Sequence, residues 1–283
     1  MCGLHSRPFR SVQDIHVHHQ APLIPDGESL RKPLFKWLFA PMRIAYKLWF
    51  GVLFFSSLIL LYVPFKFMLK RKKLRSAFTL KRAWGRFLAT VGLFPQRAVW
   101  KGVLPKPPYI ICCNHSSYID IPQVFNLMPD YFLMMGKYEL LRWPLFRIFF
   151  KGMDIAVNRG SRTEAAKALR HASEAIDRGA CIALFPEGTI PDNVPRMKHM
   201  KNGAFKMAIE KQVPIVPVTF LNHWKIFGEP TDLLSRGRPS IARAIVHPAI
   251  PTSGMTEADL VGLRSKVHAV IEAPLIKTYG NKP

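Results

Sequence analysis

The stretch Tyr109-Ile110-Ile111-Cys112-Cys113-Asn114-His115-Ser116-Ser117-Tyr118-Ile119-Asp120 passes from a short apolar run directly into polar residues. A run of that length reads as a buried strand. The periodicity that follows predicts a helix over 118–127, so His115 falls where the chain leaves the sheet. On a continuous helix, residues five apart sit about 140° apart. His115 and Asp120 therefore meet only if a turn intervenes, with the histidine on a loop and the aspartate on the helix. An aspartate that accepts the Nδ1 proton fixes the imidazole tautomer and leaves Nε2 free as a base. This is the logic of the serine triad, with the substrate's own hydroxyl in place of serine. The competing reading makes Asn114 or Ser116 a helix cap and His115 a boundary histidine.

Outward from this stretch, short apolar runs alternate with longer amphipathic ones. Strands are predicted at 109–113, 131–135, 153–157, 181–185, 215–220 and 241–247, with 109–113 the first of them. Helices are predicted at 77–94, 118–127, 137–150, 162–178, 202–211 and 257–277. The alternation predicts an α/β fold, a mostly parallel sheet flanked by helices. Ligands of such sheets bind beyond the carboxyl ends of the strands. A second chemical element sits at such an end, Phe185-Pro186-Glu187-Gly188-Thr189, where Gly188 lets a ligand come close to the main chain. Two strand ends thus carry an acid or a base at their first turn.

With 283 residues the chain suits one large domain and an accessory segment. Lys and Arg outnumber Asp and Glu by 41 to 18, and the net charge of +23 draws the protein toward anionic lipid, nucleic acid or acidic partners without choosing among them. Nucleic-acid binding is disfavoured, because no recognised module is present and the cations gather beside an apolar segment. Cys2, Cys112, Cys113 and Cys181 have no metal-type spacing, and the adjacent pair points to opposite faces of a strand. They read as reduced, mostly buried thiols rather than staples or a nucleophile.

Residues 1–30, with His16, His18 and His19, lack hydrophobic periodicity and read as a loosely ordered arm. The apolar segment comes too late for a secretory signal. From Leu48 to Phe65, 18 residues carry no charge, a length at the lower edge for spanning a bilayer of about 30 Å. Arg31, Lys32, Lys36, Arg43 and Lys47 precede it, and Lys66, Lys70, Arg71, Lys72, Lys73 and Arg75 follow. Crossing the bilayer, with the catalytic part cytoplasmic by the positive-inside bias, and dipping into one leaflet behind an interfacial helix at 34–46 both stay open. The third reading is a buried core helix. The chain thus divides into the arm at 1–30, a membrane-associated helical segment at 31–75 and a catalytic domain at 76–283.

These residues resemble the 1-acylglycerol-3-phosphate acyltransferases of the glycerolipid acyltransferase superfamily, over about residues 80–250. Four blocks carry the resemblance in order: NHSSYID at 114–120, GKYELLRWPLF with AVNRG across 136–160, FPEGT at 185–189 and VPIVPV at 213–218. Lys201-Asn202-Gly203-Ala204-Phe205 lies between the third and fourth. The resemblance implies His115 as base and Asp120 as the acid that orients it. It implies phosphate and glycerol contacts at Lys137, Arg159, Glu187, Gly188 and Thr189, and Pro217 as part of the wall near the acyl chain. Arg and Lys suit phosphate oxygens; Glu187 needs another task, gripping a hydroxyl or orienting a cation. Many relatives place Arg directly after the Thr of FPEGT, where this chain has Ile190 and then Pro191. Arg196, Lys198 and Lys201 are the cations available to replace it.

The implied reaction is attack of a lysophospholipid hydroxyl, deprotonated by His115, on a thioester carbonyl. Backbone N–H groups at the start of the helix after His115 are expected to hold the oxyanion. The product is phosphatidic acid, the donor is acyl-CoA or acyl carrier protein, and the acceptor is lysophosphatidic acid among membrane lipids. No metal or redox cofactor and no nucleic acid is called for. The alternatives are acylation of another lyso-lipid, such as a lyso-aminolipid or glycerol phosphate itself, and a non-catalytic membrane-binding protein. The latter has no need of both His115 and Asp120.

Overall fold

A computed structural model describes residues 39–280. The arm at 1–30 with its histidines, Cys2, the cations Arg31, Lys32 and Lys36, and the first part of the interfacial stretch at 34–46 lie outside the described residues. From Ala40 onward the chain forms one compact unit.

The elements run α1 (Ala40–Lys70), α2 (Leu74–Val91), β1 (Gln96–Trp100), β2 (Ile110–Cys113), α3 (Asp120–Leu127), β3 (Phe132–Lys137), a 3₁₀ turn (Tyr138–Arg142) and α4 (Pro144–Gly152). There follow β4 (Ile155–Val157), α5 (Arg162–Asp177), β5 (Cys181–Leu184), α6 (Gly203–Lys211), β6 (Ile215–Phe220), α7 (His223–Ile226), β7 (Ala242–Val246), a 3₁₀ turn (Glu257–Asp259) and α8 (Leu260–Tyr279). The strands form a seven-stranded sheet in the order β1-β7-β6-β2-β5-β3-β4. Five of them, from β6 to β4, are parallel. β7 runs antiparallel to β6, and β1 follows β7 in its direction. The expected fold, mostly parallel and flanked by helices, is what the chain adopts.

The period of two along β2 sorts its side chains between two cores. Ile110 and Cys112 pack with α5, α6 and α8 on one face, and Ile111 and Cys113 with α1, α2, α3 and α4 on the other. This explains why the strand is apolar without alternation. It also explains the adjacent thiols, which are buried, unpaired and far apart in environment. Burial pushes the Cys112 thiol up to about 12 and Cys181 up to about 11, so neither is a nucleophile at neutral pH.

Two expectations are corrected. The strand before NHSSYID is the second, because Gln96–Trp100 forms an edge strand that pairs with β7 along its length. Its polar start and exposed side chains gave no apolar run to read. The single helix expected over 137–150 is broken: Lys137 ends β3, and Trp143 is extended (φ −90°, ψ 116°) ahead of Pro144. The proline ring excludes the helical conformation from the residue before it and then starts α4 at its first turn.

The apolar segment lies within α1, whose 31 residues extend about 46 Å. It is long and apolar enough to cross a membrane. One face, with Tyr46, Phe50, Leu53, Leu58 and Phe65, is buried against the rest of the unit, for example through the Phe65 and Phe149 rings at 4.8 Å. The opposite face leaves Val52, Ile59, Leu60 and Val63 61–77% exposed. A core helix of a water-soluble domain does not present such a stripe.

Candidate active site

β2 lies between β5 and β6, with Cys112 level with Leu184 and Pro217. The parallel direction brings the loops that follow these three strands to one edge. Asn114 opens the first loop and clamps it to the end of β6: its side-chain amide donates to Phe220 O at 3.1 Å, and its Oδ1 accepts from Phe220 N at 2.7 Å. It does not cap α3, and neither does Ser116.

His115 and Asp120 meet as the spacing required, the histidine on the loop and the aspartate at the first residue of α3. His115 Nδ1 lies 2.9 Å from Asp120 Oδ2, and the imidazole stacks on Phe185 at 4.1 Å between ring centres. No described protein group bonds the opposite nitrogen, and the histidine side chain keeps 14% of its exposure, whereas Asp120 is fully buried. Burial alone would raise the Asp120 pKa. The hydrogen bonds from His115 and His223 overcome it and hold the carboxyl below its ordinary value. Asp120 is therefore an acceptor through the neutral range and His115 Nδ1 its donor, which leaves Nε2 as the basic nitrogen.

The backbone donors expected at an oxyanion are otherwise engaged. Ser116 N and Ser117 N both donate to Asp120 Oδ2, at 2.6 and 2.8 Å, and His115 N donates to Glu187 Oε1 at 2.8 Å. The cause is the tight loop: a carboxylate at the head of α3 gathers the free N–H groups of the turn before it. That expectation for the oxyanion fails at Ser116 and Ser117.

Glu187 is 4% exposed, and its second oxygen accepts from Lys198 N at 2.7 Å. It ties the loop after β5 to the loop of His115. The structure gives it a bracing task where a grip on a hydroxyl or a cation was expected. Burial pushes its pKa up to about 7 against those two N–H bonds, with the Asp120 charge adding to the rise. Gly188 follows in the left-handed region (φ +82°), and a Cβ there would lie 3.1 Å from Lys201 Cε. The turn is what calls for glycine here, since the left-handed backbone strains any residue with a Cβ, while the flexible Lys201 side chain could shift by a few tenths of an ångström. Lys201 thus stands over the FPEGT loop, while the Lys198 side chain turns to Asp192 at 3.4 Å. Thr189 is exposed. Lys137, exposed and 3.9 Å from Glu139, ends β3; Arg159 lies two residues past the end of β4, where Lys137 pairs with Val157. They share the edge of the site but sit at strands beyond β5 and touch neither His115 nor Asp120. Pro217 is buried within β6 beside Cys112.

Sequence reading missed His223, whose Nδ1 lies 2.7 Å from Asp120 Oδ1. It stands 103 residues from its partner, and only the path of β6 brings it there. The acyltransferase family model matches residues 97–221, from β1 to the end of β6. Residues 97–221 form an acyltransferase-family domain.

Relatives of the acyltransferase domain agree with this. The chain is 29% identical over 171 residues to human 1-acyl-sn-glycerol-3-phosphate acyltransferase beta, covering 60% of each chain. It is 27% identical over 256 residues to a 1-acyl-sn-glycerol-3-phosphate acyltransferase of Chlamydomonas reinhardtii, covering 86% of this chain and 73% of that one. The match thus spans about 60% of the length of the human relative. In fold the chain is similar to the crystal structure of the 1-acyl-sn-glycerophosphate (LPA) acyltransferase PlsC of Thermotoga maritima, with a TM-score of 0.66 at 19% identity over 88% of this chain and 99% of that one.

Proposed function

We propose that the protein transfers a fatty acyl group from an acyl thioester, acyl-CoA or acyl carrier protein, to the free hydroxyl of 1-acylglycerol-3-phosphate, giving phosphatidic acid. The observation that carries this reading is the 2.9 Å contact between His115 Nδ1 and Asp120, with Nε2 at the loop edge of the sheet bonded by none of the described residues. The acceptor hydroxyl gives its proton to Nε2 as its oxygen attacks the thioester carbonyl. Collapse of the tetrahedral intermediate breaks the C–S bond, and His115 returns the proton to the departing thiolate. Lys137, Arg159 and Lys201 are the cations for the acceptor phosphate, with Gly188 and Thr189 beside them, and the names of the relatives support that choice of acceptor.

Acyl transfer to a panel of lyso-lipids, read by mass spectrometry, tests the assignment. Lysophosphatidic acid is expected to be the preferred acceptor, and Lys137→Ala or Arg159→Ala to raise its KM about tenfold or more, as expected for loss of a hydrogen bond to a charged group. Equal rates on acceptors without a terminal phosphate would overturn the phosphate reading. They would favour the lyso-aminolipid alternative that Ile190 raises.

The membrane side of the protein, in this proposal, is the exposed stripe of α1 within the segment 31–75, with Lys66, Lys70 and Arg71 at cytoplasmic headgroups. Because the other face of α1 is packed along most of its length, the helix lies along one leaflet rather than across the bilayer. Proteolysis from both sides of sealed vesicles checks this: every cleavage site is expected on one side, and cleavage at the α1 ends from opposite sides rejects it.

A further inference from the structure

His223 opens α7 and is fully buried. Its ring stacks on Phe220 at 4.4 Å between centres, and its Nδ1 meets Asp120 Oδ1 at 2.7 Å. Its Nε2 is buried and has no hydrogen-bond partner among the described residues. Asp120 is an ionised acceptor, so the proton of the shared bond belongs to His223 Nδ1. Nε2 is then a bare lone pair, since an imidazolium would bury an N–H with no acceptor. His223 is thus a neutral donor with one tautomer. The two oxygens of Asp120 divide the work: Oδ2 takes His115 and the Ser116 and Ser117 amides, and Oδ1 takes His223.

We propose that His223 is a positioning residue for acyl transfer: by donating to Oδ1 it fixes the plane of the Asp120 carboxylate and limits how strongly that carboxylate holds a proton on His115. The inference rests on the reading of His115 as the base. A carboxylate with four donors spreads its charge over four bonds. Removing one leaves more charge for the others, so protonated His115 is stabilised and the base is available only at higher pH. The charged and titratable groups around the pair are Asp120 itself, Cys113 at the end of β2, Glu187 from the loop after β5 with Lys198 and Lys201 on its far side toward Asp192 and Gly188, and His223 from α7. Of these, His223 is the neutral side-chain donor to Asp120 whose bond a substitution removes without touching the His115 loop.

The test compares full-length His223→Phe and His223→Asn with wild type across pH. Phenylalanine keeps the stack on Phe220 and removes the donor, whereas the asparagine amide places an N–H near the former Nδ1. For His223→Phe, kcat/KM at pH 7 is expected to fall about ten- to hundredfold, and the acidic limb of the profile to move up by about half to one pH unit, with the acceptor KM within about twofold. His223→Asn is expected to return the limb to its wild-type position. A limb that stays in place in His223→Phe, whatever the rate, reduces His223 to packing and overturns the proposal, as does a limb that His223→Asn leaves displaced. Should His223→Phe fail to fold, His223→Gln, which displaces the donor by one methylene, takes its place with the same expected displacement. His115→Ala run alongside separates the two readings: retained activity there sinks the base itself, while lost activity with an unmoved limb sinks only the role of His223.

Discussion

Replacing His115 with alanine is expected to lower kcat for acyl transfer to 1-acylglycerol-3-phosphate by about two to four powers of ten, the usual worth of a positioned general base. KM should change little, because the phosphate is met by other side chains. Fold should be kept, since the ring is partly exposed and its loss removes one stack on Phe185 and one bond to Asp120. Asp120→Asn is expected to lose a comparable amount for a different reason. An amide offers one oxygen where the carboxylate takes bonds at both, two of them from ring nitrogens and two from Ser116 and Ser117. Its NH₂ would face donors, and the imidazole of His115 would turn or change tautomer. Steady-state kinetics on purified variants in mixed micelles decide the matter. Near-normal kcat in either variant would remove the imidazole from the mechanism.

How much of this could be read beforehand depends on the range of each interaction. The central strands announced themselves because both of their faces are buried, which makes the sequence apolar at 110–113 and, apart from Thr219, at 215–220. The meeting of His115 with Asp120 is a local matter of one turn, and spacing alone demanded the loop that the structure supplies. Glu187 was visible as a chemical residue but not its task, since its partners are main-chain N–H groups 72 residues before it and 11 after it. His223 gave no signal at all: a histidine after an apolar run is unremarkable until the parallel order β5-β2-β6 brings the end of β6 against the head of α3. The edge strand β1 hid for the opposite reason to the core strands, because its side chains are largely exposed and it opens on Gln96 and Arg97, leaving only three apolar residues in a row. The break at Trp143 was legible in Pro144, whose steric demand outweighs the amphipathic pattern on either side.

Asp154→Ala is expected to destabilise the folded chain by about 3–5 kcal/mol, the cost of leaving a buried partner charge uncompensated. Lys81 of α2 and Asp154, just before β4, are 7% and 6% exposed and form an ion pair. The ammonium lies against the Phe149 and Phe125 rings, at 4.5 and 4.9 Å from their centres. Asp154 Oδ1 also accepts from Met134 N at 3.3 Å in β3. Alanine would leave Lys81, 7% exposed, among aromatic rings with no counter-ion. Thermal unfolding in detergent, followed by circular dichroism, should show Tm lowered by about 6–20 °C. The double change Lys81→Met with Asp154→Leu is expected to recover most of the loss, because it removes both charges and keeps their volume. If the single change costs less than about 1 kcal/mol, the pair is hydrated and α2 is held to the sheet by its apolar face alone. The consequence reaches the site, since α2 packs on α3 and α3 carries Asp120: a loosened α2 weakens the platform that holds the carboxylate against His115.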